Sequence, residues 1–228
     1  MLTPDEWNAL GLSLRVAVFA TVVTLPFGIV LGYWLARTPS RARWVVETVV
    51  NVPLVLPPVV TGFMLLVLFG RNGPIGAVLE RVFGVNVAFT WIGAALASGV
   101  VAFPLMVRAI RLAFEAVNPR LELAAGSLGC GPIRTFFRVS LPLAMHGVIA
   151  GSVLAFARSV GEFGATVMLA GNIPGQTRTI PLAIFAQVQR PGGIEESWRL
   201  VVVCVLLAAV AMFVSGWLSD RSGRLPHA

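Results

Sequence analysis

Apolar residues run along this chain in long stretches, separated by short segments rich in Arg, Pro and Gly. A membrane-crossing helix needs about 20 apolar residues to span the hydrocarbon core. The stretches that meet this length are Leu12 to Ala36, Val45 to Phe69, Phe89 to Val107, Leu141 to Ala170 and Trp198 to Leu218. The fourth is longer than one crossing requires and is interrupted by Gly161 and Gly164, so splitting it would add a sixth span. Between the spans, Pro74 to Phe83 and Thr179 to Val188 read as short helices, the second after a Gly/Pro-rich stretch around Asn172 to Gly175. The pattern predicts an all-α polytopic protein in which residues 1–228 form a single transmembrane domain.

Composition agrees with the pattern. Only 12% of the residues are charged and the mean hydropathy is +0.87, whereas soluble domains carry about 25% charged residues. The formal net charge of +7 comes entirely from Arg; the chain has no Lys. Strong basicity can mark a nucleic-acid binder, but here the arginines are scattered between apolar stretches and fit membrane topology instead. Without Lys there is no Walker A phosphate-binding loop and no Schiff-base chemistry. Cys130 and Cys204 show no metal-ligand spacing, His146 and His227 are too few for a cluster, and no cofactor or catalytic set is implied. Asp5 and Glu6 stand where a secretory leader would carry basic residues, so no cleavable signal peptide is expected.

The arginines also suggest an orientation. Arg37, Arg41, Arg43, then Arg108, Arg111, Arg120, Arg134 and Arg138, and finally Arg221 and Arg224 fall on one side of five alternating spans. Arg15, Arg71, Arg81, Arg178, Arg190 and Arg199 fall on the other, with Arg158 inside a span. The richer side is expected to be cytoplasmic, which places the N-terminus outside and the C-terminus in the cytoplasm.

Three segments carry candidate chemistry. In the largest inside loop, Asn118-Pro119 is a helix start, since Asn caps well and Pro suits the first helical position. The residues R-L-E-L-A-A-G-S-L extend it until Gly129, Gly131 and Pro132 stop it. Ala124, Ala125 and Gly126 leave room for a partner to approach; an ordinary connector would look much the same. In the second span, L-V-L-P-P-V-V-T-G places Pro57 and Pro58 at membrane depth, where they remove two backbone donors. This is either a simple kink or a helix lining a path, with Thr61 offering a hydroxyl. In the fourth, F-A-R-S-V-G-E-F-G-A-T sets Arg158 and Glu162 four residues apart on one helix face. They could form an internal pair that holds a helix break, or contribute to a gate. Arg158, Ser159 and Thr166 are then the candidates for contact with an anion in transit.

The segment E-L-A-A-G-S-L-G, nine residues, then V-S-L-P resembles the coupling motif of ABC importer permeases, E-A-A-x-x-x-G followed by nine residues and I-x-L-P. Ala124, Ala125, Gly129, Leu141 and Pro142 match, and Val139 replaces Ile. Leu123 stands at the consensus Glu position, with Glu122 one residue earlier. V-P-L-V-L-P-P-V-V-T-G, F-G-R-N-G-P-I-G, A-R-S-V-G-E-F-G-A-T and G-N-I-P-G-Q-T-R-T-I-P-L-A-I-F are similar to the permease subunits of molybdate ABC importers, and the likeness runs from about Leu12 to the last span. It implies a type I importer permease in the cell inner membrane, acting as a homodimer with two ATP-binding ABC subunits and an outer oxyanion-binding protein. It further implies that the loop carrying Glu122, Ala124, Ala125, Gly129 and Pro142 docks on the ATPase. Sulfate and tungstate importers share part of the pattern. An ATP-independent channel or secondary carrier is the alternative from another class; it calls for inverted repeats or an ion-coupling site, and neither is visible in the sequence.

Overall fold

The computed structural model describes residues 2–222, without side-chain placement for 215 and 217–222. Arg224 and His227 lie outside the described residues. Among the described residues the regular structure is helical.

Helix α1 (Pro4–Arg37) starts at a capping box. The Thr3 hydroxyl accepts from the Glu6 amide at 3.3 Å, and the Glu6 carboxylate accepts from the Thr3 amide at 2.7 Å. The second apolar stretch is not one straight span. It is α2 (Ala42–Val55) and α3 (Pro58–Phe69), bent by 111° across the Pro57–Pro58 break. Helix α4 (Pro74–Phe83) matches its expected limits and ends on Gly84, whose φ of 64° closes the helix in the left-handed region.

Helix α5 (Trp91–Ala116) begins where the Thr90 hydroxyl accepts from the Gly93 amide at 3.2 Å. It runs nine residues past the expected end at Val107. Hydropathy falls at Arg108 and Arg111, but both are good helix formers, and ion pairs from Arg111 to Glu47 of α2 and to Glu115 one turn on carry α5 onward. These two arginines therefore sit on a helix and not in a loop. Helix α6 (Pro119–Ser127) occupies the capped segment, with the Asn118 side chain accepting from the Arg120 amide at 3.0 Å.

A short helix α7 (Pro132–Thr135) passes through a π-helical turn (Phe136–Ser140) into α8 (Leu141–Val160). The fourth span thus begins at Pro132, earlier than expected, and stops at Val160. Beyond the break, α9 (Gly164–Ala170) has 7 residues, too few for a crossing of its own. Helix α10 (Ile180–Val188) and the long α11 (Gly193–Ser222) complete the chain.

Helix α5 is the centre of the bundle. Of its most apolar window 61% is buried, against 22% for α1 and 17% for α11, whose apolar faces are left for lipid or another chain. Close approach depends on small residues. Gly28 and Gly32 of α1 meet Met106 and Ile110 of α5, and Gly147 and Gly151 of α8 meet Ala113 and Ala109. Near one end, Tyr33, Phe114 and Phe136 pack edge to face, with centroids 5.2 and 4.9 Å from Tyr33, joining α1, α5 and the π turn. Near the other end, the Ile180 amide donates to Ser13 Oγ at 2.7 Å, tying α10 to α1.

Helix α3 packs on α9 through Gly62. A Cβ there would lie 2.7 Å from both Cα and O of Ala165 and 2.8 Å from Met168 Cβ. The obstacle is backbone, which cannot rotate away. Gly62→Val should therefore lower the melting temperature of the detergent-purified protein by about 5 °C or more. An unchanged melt would show that this contact does not hold the bundle.

Candidate functional site

The first candidate region is the loop around α6. Asn118 caps the helix, Pro119 opens it, and the chain leaves it through Gly129 at φ 83°, a conformation that side chains other than glycine resist. Ala124 and Gly129 are exposed and Ala125 is half-buried. The surface is apolar: Leu123 is 71% exposed, Leu128 85% and Ile133 74%. Three such side chains clustered around one short loop helix fit a surface that another protein covers. Leu123, which takes the consensus acidic position, points outward here. Pro142 is exposed in the first turn of α8, across the π turn.

Glu122 faces the other way. Arg37, the last residue of α1, donates to it in a fork: Nε at 3.1 and 3.0 Å to the two carboxylate oxygens, and Nη2 at 2.9 Å to Oε1. Ser140 Oγ, buried in the π turn, donates to Glu122 Oε1 at 2.7 Å. Arg37 Nη2 also donates to the Val117 carbonyl at 3.2 Å, just before α6. One carboxylate thus joins α6 to the ends of α1 and α8. A fork of charge-assisted bonds fixes direction as well as distance. Sequence spacing could not have revealed it, since Arg37 and Glu122 are 85 residues apart.

The second region is the pair of helix breaks, which the fold brings together. A Cβ on Gly164, at the start of α9, would lie 2.9 Å from Pro58 Cβ. The proline break and the Gly161–Phe163 break therefore sit side by side. Arg158 Nη1 pairs with Glu162 Oε2 at 2.7 Å, and Glu162 Oε1 accepts from the Ala165 amide at 2.8 Å. The carboxylate, 2% exposed, both neutralises Arg158 and caps α9. Arg158 keeps a partly exposed guanidinium. Thr166 is fully buried, and its hydroxyl donates to the Phe163 carbonyl at 2.8 Å within the break. Thr61 Oγ1 and Ser159 Oγ are buried without a hydrogen-bond partner among the described residues. Pro57 is exposed at the bend and Pro58 half-buried. Broken helices whose backbone is satisfied by neighbouring protein are typical where a membrane protein lines a path.

Broken spans around a central helix, with a capped helix presented at one end, make this an all-helical, polytopic membrane fold. Solved structures share this fold. A methionine ABC transporter in an inward-facing conformation contains a chain that superimposes with a TM-score of 0.66 at 16% identity, over 96% of this chain and 94% of that one. A bacterial alginate ABC transporter in complex with a periplasmic protein gives 0.69 at 16%, over 99% and 81%.

Residues 28–225 match the family described as the binding-protein-dependent transport system inner membrane component, and the chain belongs to that family. It is therefore a multi-pass membrane subunit of an ABC importer. It is 49% identical to the molybdenum transport system permease protein ModB of Escherichia coli K12, over 98% of this chain and 100% of the relative. The corresponding protein of Haemophilus influenzae is 48% identical over 95% and 94%. That of Mycobacterium tuberculosis is 42% identical over 90% and 78%.

Proposed function

We propose that this chain is the membrane-spanning subunit of an ATP-driven molybdate importer. The observation that carries the reading is the 49% identity, over nearly the whole of both chains, to a molybdenum transport permease. Residues 1–228 act as one permease domain, and two copies enclose the path between them. The N-terminus lies outside and the C-terminus in the cytoplasm, which sets α6 against the partner subunits. Each copy engages one ATP-binding subunit through α6, with Leu123 and Leu128 as apolar contacts and Ala124, Ala125 and Gly129 permitting close approach. Pro142 lies in the first turn of α8, just past the π turn. An outer oxyanion-binding protein delivers the substrate. ATP is bound and hydrolysed by the partners, and this chain has no catalytic, metal or cofactor role of its own.

The mechanism follows from rigid and broken elements. ATP-driven closure of the partners brings the two α6 helices together. The Glu122–Arg37–Ser140 clamp passes that displacement to α1 and α8 as rigid-body motion. The hinges are the two adjoining breaks, at Pro57–Pro58 and at Gly161–Phe163. There Arg158, Ser159 and Thr61 offer donors to a passing anion, while Glu162 and Thr166 hold the geometry of the turn. Closure opens the cavity to the outside, and hydrolysis returns it to the inward-open form.

Reconstitution tests this reading. Vesicles holding the chain with its ATPase and binding protein should take up radiolabelled molybdate only when ATP is present, and excess sulfate should compete poorly. Sulfate competing as well as molybdate would transfer the assignment to a sulfate importer. Ion-driven flux through the chain alone would replace it with a carrier or channel.

A further inference from the structure

Beside the coupling end lies a cleft of about 460 Å³ between α2 and α5, floored by Leu35 of α1. Leu35 is two residues from Arg37, so the cleft opens at the end of the bundle that carries α6. It exists because α5 continues past its apolar stretch and brings Arg108 and Arg111 alongside Glu47 and Asn51 of α2. A groove of about 630 Å³ lined mainly by α1, α2 and α5, nearer the other end, contains no charged side chain.

The two arginines of the cleft differ. Arg111 is neutralised twice: Nη1 lies 2.6 Å from Glu47 and Nε 2.8 Å from Glu115. Glu115 also receives Arg43 at 3.2 Å. Asn51 turns its amide onto the Glu47 carbonyl of its own helix, at 2.7 Å. Arg108 forms no ion pair among the described residues and is exposed into the cleft. Arg43, Arg108 and Arg111 set against Glu47 and Glu115 leave one unbalanced positive charge, and Arg108 carries it. A guanidinium at the rim of an apolar bundle gains most from a doubly charged acceptor that it can grip with two parallel N–H groups.

We propose that the α2–α5 cleft is an oxyanion-binding site built on Arg108, used at the exit end of the transport path. The site takes a tetrahedral oxyanion, and its volume holds one together with part of its water. A single guanidinium makes binding weak, which suits a station from which the anion must leave. The role at the exit rests on the permease reading above. The same chemistry would accept the phosphate of a lipid headgroup, so the two sources have to be distinguished.

The test uses the permease–ATPase complex in phosphate-free detergent, without nucleotide or binding protein, and measures binding of radiolabelled molybdate by equilibrium dialysis. Wild type should bind saturably, Arg108→Gln at least about tenfold more weakly, and Arg108→Lys in between. Adding phosphatidylglycerol tests the second source: a headgroup ligand would displace molybdate, and phospholipid would be retained by wild type but not by Arg108→Gln. If wild type and Arg108→Gln bind both molybdate and phospholipid equally, or wild type binds neither, the proposal is overturned. The permease reading fails on a different observation, namely no ATP-dependent molybdate uptake by the wild-type complex in vesicles.

Discussion

Glu122→Ala should uncouple ATP hydrolysis from uptake, reducing molybdate transported per ATP by about tenfold or more. The carboxylate holds a forked ion pair with Arg37 and a hydrogen bond from Ser140, and the side chains of the pair are 16% and 19% exposed. Removing it leaves Arg37 half-desolvated with the Val117 carbonyl as its remaining partner. Breaking a half-buried pair from one side costs about 2 kcal/mol, less than for a fully buried one. That exceeds what a helix of 9 residues can hold by its own capping. Helix α6 would still meet the ATPase through Leu123 and Leu128, so hydrolysis should persist while the motion is lost between α6 and the spans. Glu122→Gln, which can still accept from Ser140, should fall between wild type and Ala. The measurement is uptake and phosphate release on the same vesicles. If both fall in proportion, α6 has lost its docking surface, and the clamp is not the transmitting element.

Glu162→Ala should do more damage to the protein itself. This side chain is 2% exposed, pairs with Arg158 at 2.7 Å and caps α9 at 2.8 Å. Its loss leaves Arg158 without its counter-charge at membrane depth and opens the first turn of a helix of 7 residues. An expected loss of about 3 kcal/mol should appear as a lower melting temperature in detergent and as abolished uptake. Glu162→Gln keeps an oxygen for the Ala165 amide and should restore much of the stability. Arg158→Ala should reduce transport more than Arg158→Lys, because lysine preserves the charge but not the planar fork. If Glu162→Ala melts like wild type, the break is held by α3 packing alone, through Gly62 and Pro58.

Much of this molecule could be read along the chain, where the signals are local. Asn118-Pro119 capped α6, Pro74 to Phe83 formed a helix with its expected limits, and Gly161 and Gly164 marked the end of a span. Other features depended on neighbours distant in sequence. Hydropathy ended the third span at Val107, yet helix α5 continues to Ala116, because Glu47 and Glu115 compensate Arg111. The doublet Pro57-Pro58 indicated a kink but not its 111° bend, which follows from α3 turning to pack on α9. Glu122 looked like a displaced consensus residue until its contacts with Arg37 and Ser140 placed it on the inner face of the α6 loop.

The sequence alone determined the solvent of this protein and its class. Caps and breaks are consequences of proline and glycine chemistry decided within a few residues, and the rough extent of each span follows from apolar run length. The tertiary structure decided which charges are neutralised and which remain available. Arg37, Arg111 and Arg158 have carboxylate partners, while Arg108 has none among the described residues. That difference leaves Arg108 with a charge that no carboxylate among the described residues cancels. It depends on a carboxylate lying within about 4 Å, supplied in two of these three cases by another helix, and linear order does not encode such a distance.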